Sequence, residues 1–191
     1  MPMNLPACLI LLLALSSTAC QSAQQRLAIE WRFDSARAQE DLYEDADPLD
    51  GAALSVHSLP IQGADHKLGW ELGLGEGKEM FAFTNGTYTL RQRQAWLGLR
   101  YTFLDGHWRP YLGAGAQYTR HDILLDYLGN GMEKRADDFG PYLEAGLLVR
   151  ISKEWHAVLG YRETFGMQAQ VDAADLDLDT AQTFVGVGFS F

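Results

Sequence analysis

The stretch Ala181-Gln182-Thr183-Phe184-Val185-Gly186-Val187-Gly188-Phe189-Ser190-Phe191 alternates residue by residue. Ala181, Thr183, Val185, Val187, Phe189 and Phe191 fall on one side of an extended chain. Gln182, Phe184, Gly186, Gly188 and Ser190 fall on the other. Successive side chains of a strand point to opposite sides, so this stretch predicts a β-strand with one apolar face and one small or polar face. The preceding stretch follows the same rule. Trp155, Ala157, Leu159, Tyr161, Phe165, Met167 and Ala169 share a face that Glu163 interrupts, opposite His156, Gly160, Arg162, Thr164, Gly166, Gln168 and Gln170.

Working toward the N-terminus, two further strands open alike, Pro110-Tyr111-Leu112-Gly113-Ala114-Gly115 and Pro141-Tyr142-Leu143-Glu144-Ala145-Gly146. Each places Pro, Leu and Ala on one face and Tyr and Gly on the other. A proline lacks the donor a ladder needs, so each is expected near the start of its strand. Alternation continues through 94–103, 68–75 and 27–34. The segment Ala52–Pro60 is assigned as a strand because a closed barrel needs an even number. The result is an all-β chain, a closed antiparallel up-and-down transmembrane barrel of about eight strands.

The direction of the apolar face decides between a membrane barrel and a soluble, lipocalin-like one, an alternative to which Gly69-Trp70 lends a two-residue match. The polar face combines glycines with Glu30, Arg32, Glu71, Arg100, Glu144, Arg150 and Arg162, which suits a narrow lumen packed with side chains. The connections near 104–107 and 152–154 are short, whereas 35–51, 76–90, 120–138 and 172–180 read as long loops, the asymmetry of outer-membrane barrels. Phe103, Trp108, Trp155, Phe189 and Phe191 collect at the short-turn end as an interfacial girdle, with Phe33, Tyr118 and Phe165 toward the other. Apolar-out is therefore the expected arrangement.

The formal net charge of −10 disfavours a nucleic-acid partner, which needs clustered Lys and Arg. Leu9 to Leu15 form an apolar run too short to span a bilayer as a helix, and small residues follow it, so 1–19 read as a signal peptide. Segment 20–25 follows as a short lead-in, and 26–191 form the barrel domain. Cys20 after Ser17-Thr18-Ala19 resembles a bacterial lipobox, with lipidation of Cys20 or ordinary cleavage after Ala19 or Ala23 both open. The other cysteine, Cys8, lies inside the signal, so the mature chain has no intramolecular disulfide.

The ending Gly186-Val187-Gly188-Phe189-Ser190-Phe191 resembles the C-terminal recognition signal of bacterial outer-membrane proteins. The Pro-Tyr-Leu-x-Ala-Gly openings resemble the outer-membrane β-barrel domain family, related to the small outer-membrane protein A-like barrels. The resemblance covers most of 26–191. It implies an outer-membrane location, contact with membrane lipid and lipopolysaccharide, and insertion by the barrel-assembly machinery through Phe189 and Phe191; the protein is expected to be a monomer.

Chemistry is sparse. Glu30, Glu71 and Glu144 are expected to pair with Arg32, Arg100 and Arg162 inside the lumen, because an unpaired charge there is costly. A lipid A deacylase of this shape would carry a His and a Ser two apart on a late strand, whereas Gly160-Tyr161-Arg162-Glu163-Thr164-Phe165 has neither. His57-Ser58 and His121-Asp122 are adjacent pairs that point to opposite faces. The histidines show no metal-ligand spacing, and the acidic run 40–51 fails the EF-hand spacing, so no metal or cofactor is expected. Asp175, Asp177 and Asp179 read as a solvated loop or as a bridge, through divalent cations, to lipopolysaccharide. Glu163 reads as a headgroup-level charge, a partner contact or a β-bulge. The expected role is non-enzymatic, either envelope-structural or surface interaction through four long loops. A narrow ion-conducting channel and a soluble carrier of apolar ligands are the alternatives.

Overall fold

A computed structural model describes residues 26–38, 49–59, 67–83, 86–104, 106–127, 130–171, 174–177 and 179–191. Ten strands follow one another: β1 (Arg26–Ala38), β2 (Leu49–Leu59), β3 (Leu68–Phe83), β4 (Gly86–Thr102), β5 (Trp108–Tyr127), β6 (Asn130–Arg150), β7 (Trp155–Thr164), β8 (Gln168–Val171), β9 (Ala174–Asp177) and β10 (Thr180–Ser190). Eight close into an antiparallel barrel in the order β1-β10-β7-β6-β5-β4-β3-β2, and β8-β9 form a separate hairpin. Closure runs along β1 and β10, from Ala28 opposite Ser190 to Ala38 opposite Thr180. Leu27 and Phe191 exchange both backbone hydrogen bonds at its end.

The apolar faces point outward. Leu97, Leu99, Leu112, Leu143, Leu159 and Val185 are each more than half exposed, at positions that alternate with buried Trp96, Arg100, Tyr111, Tyr142, Arg162 and Phe184. A water-soluble carrier would reverse this pattern. The aromatic residues at the short-turn end also lie on the outer surface, with Trp155 and Phe189 edge-to-face at 5.2 Å and Tyr101 and Phe103 likewise at 5.2 Å.

Three local expectations are corrected. Segments 76–90 and 120–138 are largely strand: β3-β4 pair as far as Phe83 opposite Gly86, and β5-β6 as far as Tyr127 opposite Asn130. β7, by contrast, pairs with β6 only up to Thr164 opposite Tyr142. The ends of β3, β4, β5 and β6 therefore rise beyond the closed barrel as a four-stranded sheet. Second, the alternation read through 155–170 breaks at Gly166, whose φ of 69° turns the chain into the β8-β9 hairpin. Third, Pro141 sits inside β6 rather than near its start. It lies one residue past the last β6-β7 pair, where its carbonyl accepts from Phe165 N at 3.1 Å and no further donor is required. Pro110 ends the β4-β5 ladder in the same way, accepting from Phe103 N at 2.9 Å.

Candidate functional site: a charged lumen

Every inward position of the barrel comes from the polar face of a strand, and the widest side chains rest against glycines of the strand beside them. A Cβ on Gly73 would lie 2.1 Å from the Trp96 ring, and one on Gly160 would lie 2.3 Å from Phe184. Glycine at these rungs is what admits large side chains into a lumen this narrow.

Across the middle of the lumen, Glu30 and Arg32 of β1, Glu71 of β3, Arg100 of β4, Glu144 of β6 and Arg162 of β7 form one network. Arg32 donates to Glu30 at 2.8 Å, to Glu71 at 2.7 Å and to Glu144 at 3.4 Å. Arg100 donates to Glu71 through Nη2 at 2.7 Å and Nε at 3.1 Å, to Glu144 at 3.2 Å and to Glu30 at 3.3 Å. Arg162 donates to Glu144 through Nε at 2.8 Å and also through Nη2, and reaches Glu71 at 3.4 Å. All six side chains are at most 2% exposed. Each guanidinium meets at least two carboxylates, the condition under which buried charge is tolerable.

Aromatic side chains complete the layer, and the sequence reading did not place them in it. Trp96 donates to Glu71 at 2.9 Å and Tyr111 to Glu144 at 2.8 Å. The Arg162 guanidinium lies 4.0 Å from the Trp96 ring centre and 4.7 Å from that of Tyr142. Arg100 lies 4.1 Å from Tyr111, and Arg32 lies 4.4 Å from Phe184. The signal was available: the tyrosines of the repeated Pro-Tyr-Leu-x-Ala-Gly openings share a face with the glycines. Toward the extended end a layer of amides follows, in which Gln94 accepts from Gln182 at 2.7 Å and from Gln117 at 3.2 Å and donates to Asp34 at 3.3 Å.

Toward the short-turn end, Glu30 meets two histidines absent from the sequence-level site. His156 Nε2 of β7 is 3.1 Å from Glu30 Oε1, and His57 Nδ1 of β2 is 3.5 Å from the same oxygen. One ligand atom from each of the three residues lies within 4.8 Å of the others. Spacing along the chain could not show this, because closure of the barrel brings β1, β2 and β7 together.

The remaining sequence candidates separate. Cys20 lies outside the described residues. Phe189 and Phe191 stand on the outer face of β10 and just beyond it. Glu163 lies in unbroken register with Leu143 and Ala181, so no bulge accounts for it, and Tyr161 donates to it at 3.4 Å. Asp179 accepts the backbone N–H of Gly166 at 3.0 Å and of Met167 at 2.8 Å, anchoring the turn into β8.

Above the apolar band, the outer face of the four-stranded sheet carries a second charge cluster. Asp122 of β5 accepts from Arg120 at 3.0 Å and Arg135 at 2.9 Å, and it pairs with Arg93 at 3.5 Å. Glu76 of β3 pairs with Arg91 at 2.7 Å. Hydrogen bonds from Arg135 and Arg120 outweigh the burial that opposes ionisation and hold the Asp122 carboxyl below its ordinary range. On the inner face, burial pushes His121 down to about 4.

Comparison with known proteins accords with this architecture. Residues 6–191 match the family described as Outer membrane protein beta-barrel domain. No curated protein sequence matches. The attachment invasion locus protein Ail of Yersinia pestis superposes with a TM-score of 0.63 at 14% identity, over 88% of this chain and 100% of that one. OprG of Pseudomonas aeruginosa gives 0.61 at 17% identity, over 88% and 96%. Neisserial surface protein A gives 0.55 at 14%, over 87% and 97%. At these identities the likeness is one of fold.

Proposed function

Because the chain belongs to the outer membrane protein beta-barrel domain family, and so resides in the outer membrane, we propose that it is a non-conducting, non-enzymatic barrel acting through the sheet beyond its lumen. The observation that carries this reading is the lumen network: three guanidiniums, three carboxylates and four aromatic rings occupy the middle of the barrel. To pass an ion, several of these pairs would have to break at once in a region of low dielectric, where each is strong and each partner left behind is costly.

The working surface is the outer face of β3–β6, where Arg91, Arg93, Arg120 and Arg135 stand directly above the exposed apolar band. Planar guanidiniums at the height of outer-leaflet headgroups suit bidentate binding of phosphate, so lipopolysaccharide is the partner proposed. Short turns then face the periplasm, and the sheet faces the exterior.

Planar-bilayer recordings with the purified chain test the first part: a silent membrane is expected, and reproducible single-channel steps would overturn the sealed lumen. Reconstitution into phosphatidylcholine vesicles with and without lipopolysaccharide tests the second. Lipopolysaccharide is expected to raise the temperature at which the heat-modifiable gel band converts, and the double variant Arg93→Glu, Arg135→Glu should lose that rise. An equal rise in both proteins would remove the arginine face from the proposal.

A further inference from the structure

The geometry points to a transition-metal site, suited to Zn²⁺, formed by Glu30, His57 and His156 at the short-turn end of the lumen. Zinc accepts carboxylate oxygen and imidazole nitrogen at about 2.0–2.2 Å, which places neighbouring ligand atoms of a tetrahedron about 3.4 Å apart. Glu30 Oε1 stands 3.5 Å from His57 Nδ1 and 3.1 Å from His156 Nε2, so two of the three edges are already near that length. The third lies within 4.8 Å and closes by rotation of the imidazoles, whose planes stand at 76°.

His57 supplies the independent observation. Its side chain is 1% exposed, and neither ring nitrogen completes a hydrogen bond among the described residues. A neutral imidazole has one donor and one acceptor, and burial with both unanswered is unfavourable. A cation coordinated at Nδ1 answers the acceptor and uses the nitrogen aimed at Glu30. His156 is suited to the same task, because its Nδ1 lies 3.5 Å from Ser190 Oγ, a partner that can fix the ring while Nε2 binds.

Charge and space permit the ion. Glu30, Glu71 and Glu144 face Arg32, Arg100 and Arg162, one carboxylate for each guanidinium, so the network sets no net positive charge against a cation. Glu30 Oε2 is held by Arg32 at 2.8 Å, which leaves Oε1 for the metal. Arg100 gives up its 3.3 Å contact to that oxygen and keeps its 2.7 Å pair with Glu71. Gly188 is what admits the His156 ring beside Glu30, since a Cβ there would meet His156 Nε2 at 2.2 Å and Glu30 Cγ at 2.9 Å. His156 is buried and sits at the second residue of β7, next to the short turn, which is the nearer mouth for an ion. An ion here ties β1, β2 and β7 across the β1-β10 seam.

The test uses untagged, folded full-length protein in detergent, stripped with chelator and titrated with Zn²⁺ by calorimetry. About one ion per chain is expected, with affinity weakened at least tenfold in His57→Gln and in His156→Gln. His107→Gln, in an exposed turn, should leave the affinity unchanged. Absence of binding, or binding that both lumen variants retain, would overturn the site. If the variants lose the folded gel band, Co²⁺ added to the unaltered protein decides through paramagnetic shifts. Shifts at both lumen imidazoles support the site, and shifts confined to His107 remove it. Neither result bears on conductance or on lipopolysaccharide binding, so this inference can fail while the proposed function stands.

Discussion

The barrel lumen and the sheet that rises from it are built of the same residues in opposite surroundings. In the lumen, Arg32, Arg100 and Arg162 share Glu30, Glu71 and Glu144 with almost no exposed surface. On the sheet, Arg91, Arg93 and Arg135 share Glu76 and Asp122, but the guanidiniums are 42–51% exposed. Water screens the second set and not the first. The lumen cluster therefore acts as a fixed structural core that fails when one member is removed. The sheet cluster can exchange its partners for a ligand at little expense.

The sharpest test of that contrast removes one carboxylate from each region. Glu71 accepts from Arg32, Arg100, Arg162 and Trp96, so Glu71→Gln leaves three buried guanidiniums facing two network glutamates. A loss of about 3–5 kcal/mol is expected from breaking a buried network of this kind. Glu76→Gln, on the half-exposed face, should cost no more than about 1 kcal/mol. Urea unfolding in lipid vesicles, followed by the heat-modifiable band, measures both. Equal losses would break the comparison.

His121 gives the inner face of the sheet a buried titratable group. Its folded value of about 4 lies below the ordinary 6.5, because burial opposes the charged ring. Above pH 6.5 both folded and unfolded chains hold it neutral, and its contribution is complete. As pH falls toward 4 the unfolded chain takes up the proton and the folded one does not, so up to about 3 kcal/mol is lost across that window. Below it no further loss accrues. A His121 imidazole resonance in micelles that titrated near 6.5 would show the inner face of the sheet to be open to water.

These regions also differ in how far they can be read from sequence. The period-2 pattern identified the lumen face of each barrel strand, and the six charged residues of the network were among those named from that pattern. The same pattern failed beyond the barrel. In 120–127 and 130–138 both faces carry charge, as in Arg120-His121-Asp122 and Glu133-Lys134-Arg135, because neither face meets lipid. A strand polar on both sides has no alternation to detect. The Glu30, His57 and His156 cluster was invisible for another reason: its members meet only through barrel closure, and β2 had the weakest pattern of the eight barrel strands.

Packing distinguishes the regions more gently than charge. Gly73 faces Trp96, a ring fixed by its bond to Glu71 and by the Arg162 guanidinium, so the methyl of Gly73→Ala meets an atom that cannot retreat. About 1–3 kcal/mol of destabilisation is expected for such overpacking. Gly131, near the tip of β6, has nothing within 4 Å of the equivalent position, and Gly131→Ala should leave the unfolding midpoint almost unmoved. A loss at Gly131 as large as at Gly73 would mean that the sheet tip packs against something besides solvent.

Among the charged residues, the smallest effect is expected from Arg135→Ala. Arg135 binds Asp122 through Nε at 2.9 Å and Glu133 at 3.5 Å, yet Asp122 retains Arg120 and Arg93 when it is gone. Only a slight loss follows for an exposed pair with substitutes at hand, and it should shrink further in high salt, where screening has already weakened the pair. Unfolding midpoints at low and high ionic strength measure it. A large, salt-independent loss would place Arg135 in a structural role like that of Arg162, and the sheet cluster would then resemble the lumen in kind.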